Sequence, residues 1–226
     1  MIAYLSQNAD KRIYDALIQE GFTTIPLAPF EVLSSPVDTH ADMLLLDVEK
    51  TLFVHKDYNF QDYKYNKTIK IDEDMSDKYP FDIPLNIAIV GKNVFCNIKF
   101  ASKTIIEYLK SNEFIIHHVA QGYAHCSTCI VSDNALITSD SGIANAARAS
   151  GLNVLEISEG YISLPPYNHG FIGGCCGSYK DKIYFCGSLD YHPDGNRIRQ
   201  FCKAHGKTTV DLYNSPLVDI GGILFN

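Results

Sequence analysis

The chain has 226 residues with a net charge of −7, and 46% of them are hydrophobic and 20% charged, which suits one globular domain with a sizeable core. Its Lys and Arg residues are scattered, and this argues against a nucleic-acid partner. No apolar run approaches the ~20 residues that span a bilayer and the N-terminus lacks a signal-peptide pattern, so we expect a cytoplasmic protein without a membrane partner.

The sequence predicts four amphipathic helices, each followed by a short apolar strand. They are expected at residues 8–20, 102–111, 141–150 and 193–205, where apolar side chains recur every three or four residues after a capping residue. The helix ends read LIQEGFTTIPL, LKSNEFIIHHV, ARASGLNVLEI and CKAHGKTTVDL. Three of them carry a glycine where the helix stops, which is typical of a left-handed residue after the last turn.

Two strands joined by a polar tight turn are predicted at four places. The turns are expected at Glu49-Lys50, Gly91-Lys92-Asn93, Asp133-Asn134 and Lys180-Asp181. Three of these hairpins precede a predicted helix, so a strand–strand–helix–strand unit repeats about every 40 residues. The first unit differs, because residues 57–80 lack an amphipathic pattern and are expected to form an elaborated loop.

The repeat predicts an α/β protein built as a ring of five modules in one domain over residues 1–226. Four modules are expected at about 40–81, 85–119, 124–157 and 169–212. Segment 217–226 supplies strands without a helix and segment 1–27 supplies a helix and a strand, so together they would complete a fifth ββαβ module. A closed propeller of this kind leaves no free sheet edge. An open, layered α/β sheet is the alternative.

Two short motifs carry a resemblance to a known superfamily: THADML at residues 39–44 and HCST at residues 125–128. Together with the five-module ring they resemble the pentein, or guanidino-group-modifying, enzymes, which include arginine deiminases and dimethylarginine dimethylaminohydrolases. The resemblance implies that His40 is a general acid/base, that Asp42 binds a substrate guanidinium and that Cys126 is a nucleophile. One module separates the two motifs here, as it does in that superfamily.

Three further residues are candidates for the same pocket. The resemblance implies an acidic residue that orients the histidine, and Asp219 in the C-terminal unit is the nearest candidate. His125 and His169 are candidate substrate-binding residues, although His125 and Cys126 are expected to point to opposite faces because adjacent strand residues do so. A second guanidinium-binding aspartate would lie at the start of the fourth unit, where the sequence reads FIGGCCG without a carboxylate.

The expected function is hydrolysis or transfer at a C–N bond of a small guanidine- or amidine-like molecule, through a covalent intermediate on Cys126 and without a cofactor. A thiolate is the attacking species, and a nearby imidazolium would lower the thiol pKa and later protonate the leaving amine. One alternative is a non-catalytic pentein-fold protein that binds a ligand. Another is that Cys126 only packs in the interior, as most free cysteines do.

A metal site is a further alternative. Cys126 and Cys129 have the spacing of a ligand pair, and Cys175 and Cys176 are adjacent. A strand at 127–131 would point Cys126 and Cys129 to opposite faces, so we predict no metal ligands. The expected partner is therefore a small-molecule substrate, and the sequence leaves open whether the chain forms a homo-oligomer.

Overall fold

The computed structural model describes residues 1–60 and 65–226. Fifteen strands and five α-helices lie within these residues. The strands are β1 (Ile2–Ser6), β2 (Thr23–Leu27), β3 (Leu45–Val48), β4 (Thr51–His55), β5 (Lys67–Ile71), β6 (Ala88–Val90), β7 (Asn93–Cys96), β8 (Ile115–His118), β9 (Thr128–Ser132), β10 (Ala135–Thr138), β11 (Asn153–Glu156), β12 (Cys176–Tyr179), β13 (Lys182–Phe185), β14 (Thr208–Asp211) and β15 (Leu224–Phe225). The helices are α1 (Lys11–Gln19), α2 (Ala41–Leu44), α3 (Lys103–Ser111), α4 (Ser141–Ala149) and α5 (Gly195–Ala204).

These strands form five separate three-stranded sheets with one topology. In each sheet the first strand pairs antiparallel with the middle strand, and the third strand pairs parallel with the middle one. We number the modules 1 (β3–β4–β5), 2 (β6–β7–β8), 3 (β9–β10–β11), 4 (β12–β13–β14) and 5 (β15–β1–β2). Five separate sheets exclude the open layered sheet and confirm the α/β propeller of five modules.

The chain ends meet inside module 5, as the repeat predicts. Ala3 of β1 pairs with Phe225 of β15, and the backbones of Ile2 and Asn226 exchange two hydrogen bonds of 2.8 and 3.0 Å. The N-terminal strand is therefore the middle strand of a module whose first strand is supplied by the C-terminus.

Local sequence explains the turns of these modules. Each hairpin of modules 1 to 4 has a two-residue turn, and positive φ angles occur at Glu49 (50°), Lys50 (69°), Gly91 (58°) and Lys180 (53°). Positive φ is what short hairpin turns need to match the right-handed twist of their strands. The helix ends follow the predicted glycine pattern, with Gly21, Gly151 and Gly206 at φ between 73° and 89° and Glu113 at 62°.

The predicted helices form with small shifts at their ends. Asp10, Ser102 and Asp140 each accept a backbone N–H at a helix start, which is the capping role expected of these residue types. The fourth predicted helix begins later than Pro193, at Gly195, because a short 3-10 helix at Leu189–Tyr191 occupies the preceding turn.

Five apolar clusters, in the part of the chain that the structure describes, each lie between two neighbouring modules. They join modules 1 and 2, 2 and 3, 3 and 4, 4 and 5, and 5 and 1 in cyclic order. Phe53, Phe95 and Phe185 are fully buried in them, and burying such a side chain contributes about 1.5–3 kcal/mol. Hydrophobic packing therefore closes the ring, since hydrogen-bonded ladders exist only within the modules.

Module 1 departs from the sequence-based expectation. The prediction that residues 57–80 form an elaborated loop is wrong for Lys67–Ile71, which forms β5 alongside β4. The alternating sequence KTIKI turns Ile69 and Ile71 toward the cluster between modules 1 and 2. Residues 61–64 of the same segment lie outside the described residues.

None of the helices in the described ranges combines the length and the apolar character needed to cross a membrane.

Candidate active site

Equivalent positions of the modules converge at the axis of the ring. Asn86, Cys126, Gly174 and Gly222 each stand two residues before the first strand of their module. Asp42 stands three residues before β3, in the short helix α2. The five modules thus each bring one position to a common centre.

Hydrogen bonds link these positions into a closed circuit. The links are Asp42 N to Gly221 O (3.0 Å), Gly222 N to Gly174 O (2.7 Å), Gly174 N to Cys126 O (3.1 Å), Cys126 N to Asn86 Oδ1 (3.3 Å) and Asn86 Nδ2 to Asp42 O (3.2 Å). Every module is bonded to the next, so the groups at the axis are held by all five.

Two cavities are lined by residues of this circuit. One, which we call the site cavity, has a volume of about 260 Å³, and its lining includes His40, Cys126, His169 and Asp219. The other, the axial cavity, has about 300 Å³ and is lined by residues of all five first strands together with Asp42 and His125. The site cavity therefore brings four predicted residues together. Asp42 and His125 line the axial cavity instead, where Asp42 is next to the Cys126 thiol.

His125 and Cys126 line different cavities. This agrees with the expectation that their side chains point in opposite directions. His125 Nδ1 is buried and has no hydrogen-bond partner among the described residues, and burial lowers the pKa of the imidazole to about 4. His125 is thus a neutral group of the axial cavity. His125 does not line the site cavity, so the structure gives no support to its predicted role in substrate binding.

Asp219 is fixed rigidly beside His40. Its two carboxylate oxygens accept the backbone N–H groups of Phe171 and Gly221, both at 2.9 Å, and Oδ1 lies 3.8 Å from His40 Nδ1. A Cβ at Gly174 would overlap this carboxylate, so the position of Asp219 requires a glycine there. Burial lowers the pKa of His40 and the Asp219 charge opposes that effect.

Asp42 is the most unusual group at the axis. The residue is 3% exposed, and neither carboxylate oxygen has a hydrogen-bond partner in the described structure. Burial and the charge of Asp219 both raise the pKa of Asp42, while the neighbouring Cys126 thiol lowers it. Leaving a buried polar group unpaired costs about 1–3 kcal/mol, so this carboxylate is held ready for a donor that the protein itself does not supply.

Cys126 is a protonated thiol in this environment. Burial is the largest cause that raises its pKa, followed by the charges of Asp42 and Asp219. One group acts in the other direction, because Asn86 Nδ2 donates to Cys126 Sγ at 2.9 Å. The expected imidazolium-lowered thiol pKa is therefore not met, since His40 is itself kept neutral by burial.

Asn86 is a site residue that the sequence interpretation missed. Its Oδ1 accepts the backbone N–H of His125 at 2.8 Å and that of Cys126 at 3.3 Å. These two donors fix the orientation of the amide, so its NH₂ group must face the thiol. The sequence signal that could have identified Asn86 is its position in the repeat. Asn86 stands two residues before β6, and Cys126 stands two residues before β9.

The two cysteines with ligand-like spacing lie in different environments. Cys126 lines the site cavity, whereas Cys129 is fully buried in the cluster between modules 3 and 4, where it contacts Cys176. No group of three or more His, Cys, Asp or Glu side chains within residues 1–60 and 65–226 is arranged to hold a metal ion.

Comparison with known proteins identifies the family. Residues 4–224 match the profile described as "Family of unknown function (DUF6873)". The chain belongs to this family. None of the curated proteins is similar enough to match it.

Solved structures show the fold of this family member. DDAH from Pseudomonas aeruginosa, a cysteine-to-serine mutant complexed with citrulline, has a TM-score of 0.55 at 11% identity, covering 92% of this chain and 89% of that chain. Dimethylarginine dimethylaminohydrolase as an adduct with 4-chloro-2-hydroxymethylpyridine gives 0.54 at 11% identity, covering 93% and 91%. A histidine-to-glycine variant as an adduct with S-methyl-L-thiocitrulline gives 0.54 at 10% identity, covering 92% and 91%. The chain has the pentein fold.

The Asp42→Asn substitution tests the unpartnered carboxylate. The unfolded chain releases the Asp42 proton near pH 4, but the folded protein holds it to higher pH. Ionisation of Asp42 therefore destabilises the folded protein, and the free energy of unfolding falls as the pH rises above about 4. In urea unfolding, we expect the variant to be more stable than wild type by about 1–3 kcal/mol near pH 7.5 and by less near pH 4.5. The exposed turn variant Asp181→Asn is the control, and equal stability of Asp42→Asn and wild type at both pH values would contradict this account.

The Asn86→Asp substitution tests the hydrogen bond to the thiol. A carboxylate keeps the acceptor for the two backbone N–H groups, but it loses the donor to Cys126 and to the Asp42 carbonyl and adds a negative charge. We expect the pKa of Cys126 to rise by at least about one unit, measured as a shift in the pH profile of its alkylation by iodoacetamide, with peptide mass spectrometry. The half-buried Asn97 of the same module gives the matched control Asn97→Asp. An unchanged profile in Asn86→Asp would show that the amide does not act on the thiol.

Proposed function

We propose that the protein hydrolyses or transfers a group at a C–N bond of a small guanidine- or amidine-like cation, through a covalent intermediate on Cys126. The observation that carries this proposal is the pair of buried carboxylates, Asp42 and Asp219, beside a thiol. No Lys or Arg forms an ion pair with either of them in the described part of the chain. Buried charges are normally paired, so the pair is built to receive a cation from outside.

A planar cation with several N–H donors fits this arrangement. Guanidinium and amidinium groups donate paired, charge-assisted hydrogen bonds to a carboxylate. Among the described residues the Asp42 carboxylate has no nitrogen donor, and the adjacent Cys126 thiol is the group that acts on it. Binding would also neutralise the two charges that raise the pKa of Cys126. The bound cation would therefore promote its own attack, because an opposite charge nearby favours the thiolate.

The residues of the site then provide the chemical steps. Cys126 gives its proton to His40 as Sγ forms a bond to the central carbon of the cation, and the tetrahedral intermediate breaks one C–N bond as the protonated His40 gives that proton to the departing amine. Water next attacks the same carbon and His40 accepts its proton. The C–S bond then breaks, a urea- or amide-like product leaves, and His40 returns the proton to the Cys126 thiolate. In a transferase an amine would replace the water. Asp219, fixed by two backbone N–H groups, holds His40 in place.

The solved structures support the choice of chemistry. They share the fold across about nine-tenths of the chain, and one of them contains citrulline, the ureido compound that C–N hydrolysis of an alkylguanidine produces. Another carries an adduct with S-methyl-L-thiocitrulline. The positions of His40, Asp42 and Cys126 at the axis are consistent with the same class of reaction.

A non-catalytic protein that binds a cation is the second candidate. The raised pKa of Cys126 and the glycine at position 174 favour it, since one acidic group of the superfamily is missing. In that case the thiol would remain protonated with the ligand bound.

A matched pair of alkylating reagents tests the proposal. 2-Chloroacetamidine is a cation and 2-chloroacetamide is its neutral analogue, and each forms an S–CH₂ bond with a thiolate as chloride leaves. After correction for their rates with glutathione, we expect the cation to modify Cys126 at least about tenfold faster, measured by peptide mass spectrometry. Asp42→Asn should lose the preference and Asp181→Asn should keep it.

The other six cysteines, all buried, are internal controls and should show no preference between the reagents. Ammonia or amine release from guanidine compounds, absent in Cys126→Ser, would then establish turnover. Equal rates for the two reagents at Cys126 would overturn the proposal. A selective alkylation without any turnover would favour the binding protein.

A further inference from the structure

The wall of the site cavity is aromatic and apolar. Tyr123, Tyr167 and Phe171 line it, and Val37, Met43 and Leu164 fill the spaces between them. The Tyr123 and Phe171 rings lie 6.2 Å apart at 32°, and the His169 ring stands at 84° to Phe171 with 6.0 Å between centroids. We call the rings of Tyr123, Tyr167, His169 and Phe171, which line the same cavity as Cys126, the aromatic shell.

The polar atoms of this shell are already engaged. Tyr123 OH donates to Asp82 at 2.6 Å. His169 Nε2 lies 2.9 Å from Glu159, and its Nδ1 lies 3.2 Å from the Gly170 carbonyl. Tyr167 OH lies 3.3 Å from Ser34 Oγ, and the exposed Asn168 is the other polar residue of this part of the wall. The shell therefore presents mainly ring faces to a ligand.

The charges around the cavity disfavour an anion. Asp219 lines it, Asp42 lies behind Cys126, and Glu159 is paired with His169 at its edge. No Lys or Arg lines the cavity among the residues that the structure describes. A carboxylate on the ligand would lose its hydration without gaining a cationic partner, which is costly.

We propose that the ligand of this site is a guanidine or amidine with an apolar, preferably aromatic, tail and no carboxylate. This inference rests on the proposed function, because the cationic head is assigned to Asp42 and Asp219. The tail would stack within the shell of Tyr123, Tyr167 and Phe171, where aromatic pairs gain energy beyond area burial. A cavity of about 260 Å³ equals roughly nine water molecules at ~30 Å³ each, which limits the ligand to a small one.

Binding of benzylguanidine and L-arginine to the full chain tests the inference. Both carry a guanidinium, but only benzylguanidine has an aromatic tail and only L-arginine has a carboxylate. By calorimetry on Cys126→Ser, which prevents turnover, we expect benzylguanidine to bind at least about tenfold more tightly than L-arginine. Agmatine, which has neither a carboxylate nor an aromatic ring, should fall between them.

Two tyrosines of one segment give a matched pair of variants. Tyr167 is 47% exposed and lines the cavity, whereas Tyr161 is 51% exposed and does not. Made in the Cys126→Ser background, Tyr167→Ala should weaken benzylguanidine binding about fivefold, and Tyr161→Ala should leave it unchanged. L-Arginine or agmatine binding as tightly as benzylguanidine, no binding of benzylguanidine, or equal effects of the two variants would overturn the inference.

The outcomes separate this inference from the proposed function. Selective alkylation by chloroacetamidine together with tighter binding of L-arginine would leave the proposed function standing and overturn the aromatic tail. Benzylguanidine binding that depends on Tyr167, without selective alkylation or turnover, would support the inferred ligand class and count against the catalytic proposal.

Discussion

Two buried carboxylates, Asp42 and Asp219, determine the character of this site. In the part of the chain that the structure describes, neither forms an ion pair with a Lys or Arg. Asp219 is stabilised by two backbone N–H groups and His40. Within residues 1–60 and 65–226, Asp42 has no nitrogen donor, and the Cys126 thiol is the group that lowers its pKa. Burial raises the pKa of both carboxyl groups, and the charge of Asp219 raises that of Asp42 further. Burial also raises the pKa of Cys126, and the charges of both aspartates add to this effect. Under the proposed function, the reactivity of the thiol is coupled to whether a cation is present.

Such an arrangement is stable only because the rest of the molecule is rigid. Five apolar clusters close the ring between neighbouring modules, and the hydrogen-bonded circuit at the axis joins the same modules through Asn86, Cys126 and Gly174. A local rearrangement that gave Asp42 a partner would disturb contacts in several modules at once. Proteins commonly retain destabilising groups of this kind where function requires them.

Internal repetition was sufficient to predict the five-module ring and the pairing of the two chain ends, because hydrophobic period, turn residues and helix caps recur locally. The same reasoning missed β5, since KTIKI is a short alternation inside a polar segment. It also missed Asn86, whose importance comes from a hydrogen bond across modules. The side of the axis on which Asp42 lies follows from the short helix α2, and the raised pKa of Cys126 follows from burial, neither of which is visible in local sequence.

The most direct test of the coupling is the pKa of Cys126 with and without a bound cation. It can be measured from thiolate absorbance, as the difference between wild type and Cys126→Ser, in methylguanidine and in its neutral analogue N-methylurea. The account predicts that methylguanidine lowers the pKa by at least about one unit and that N-methylurea does not. The same pKa in both solutions, under conditions where methylguanidine is shown to bind, would contradict it.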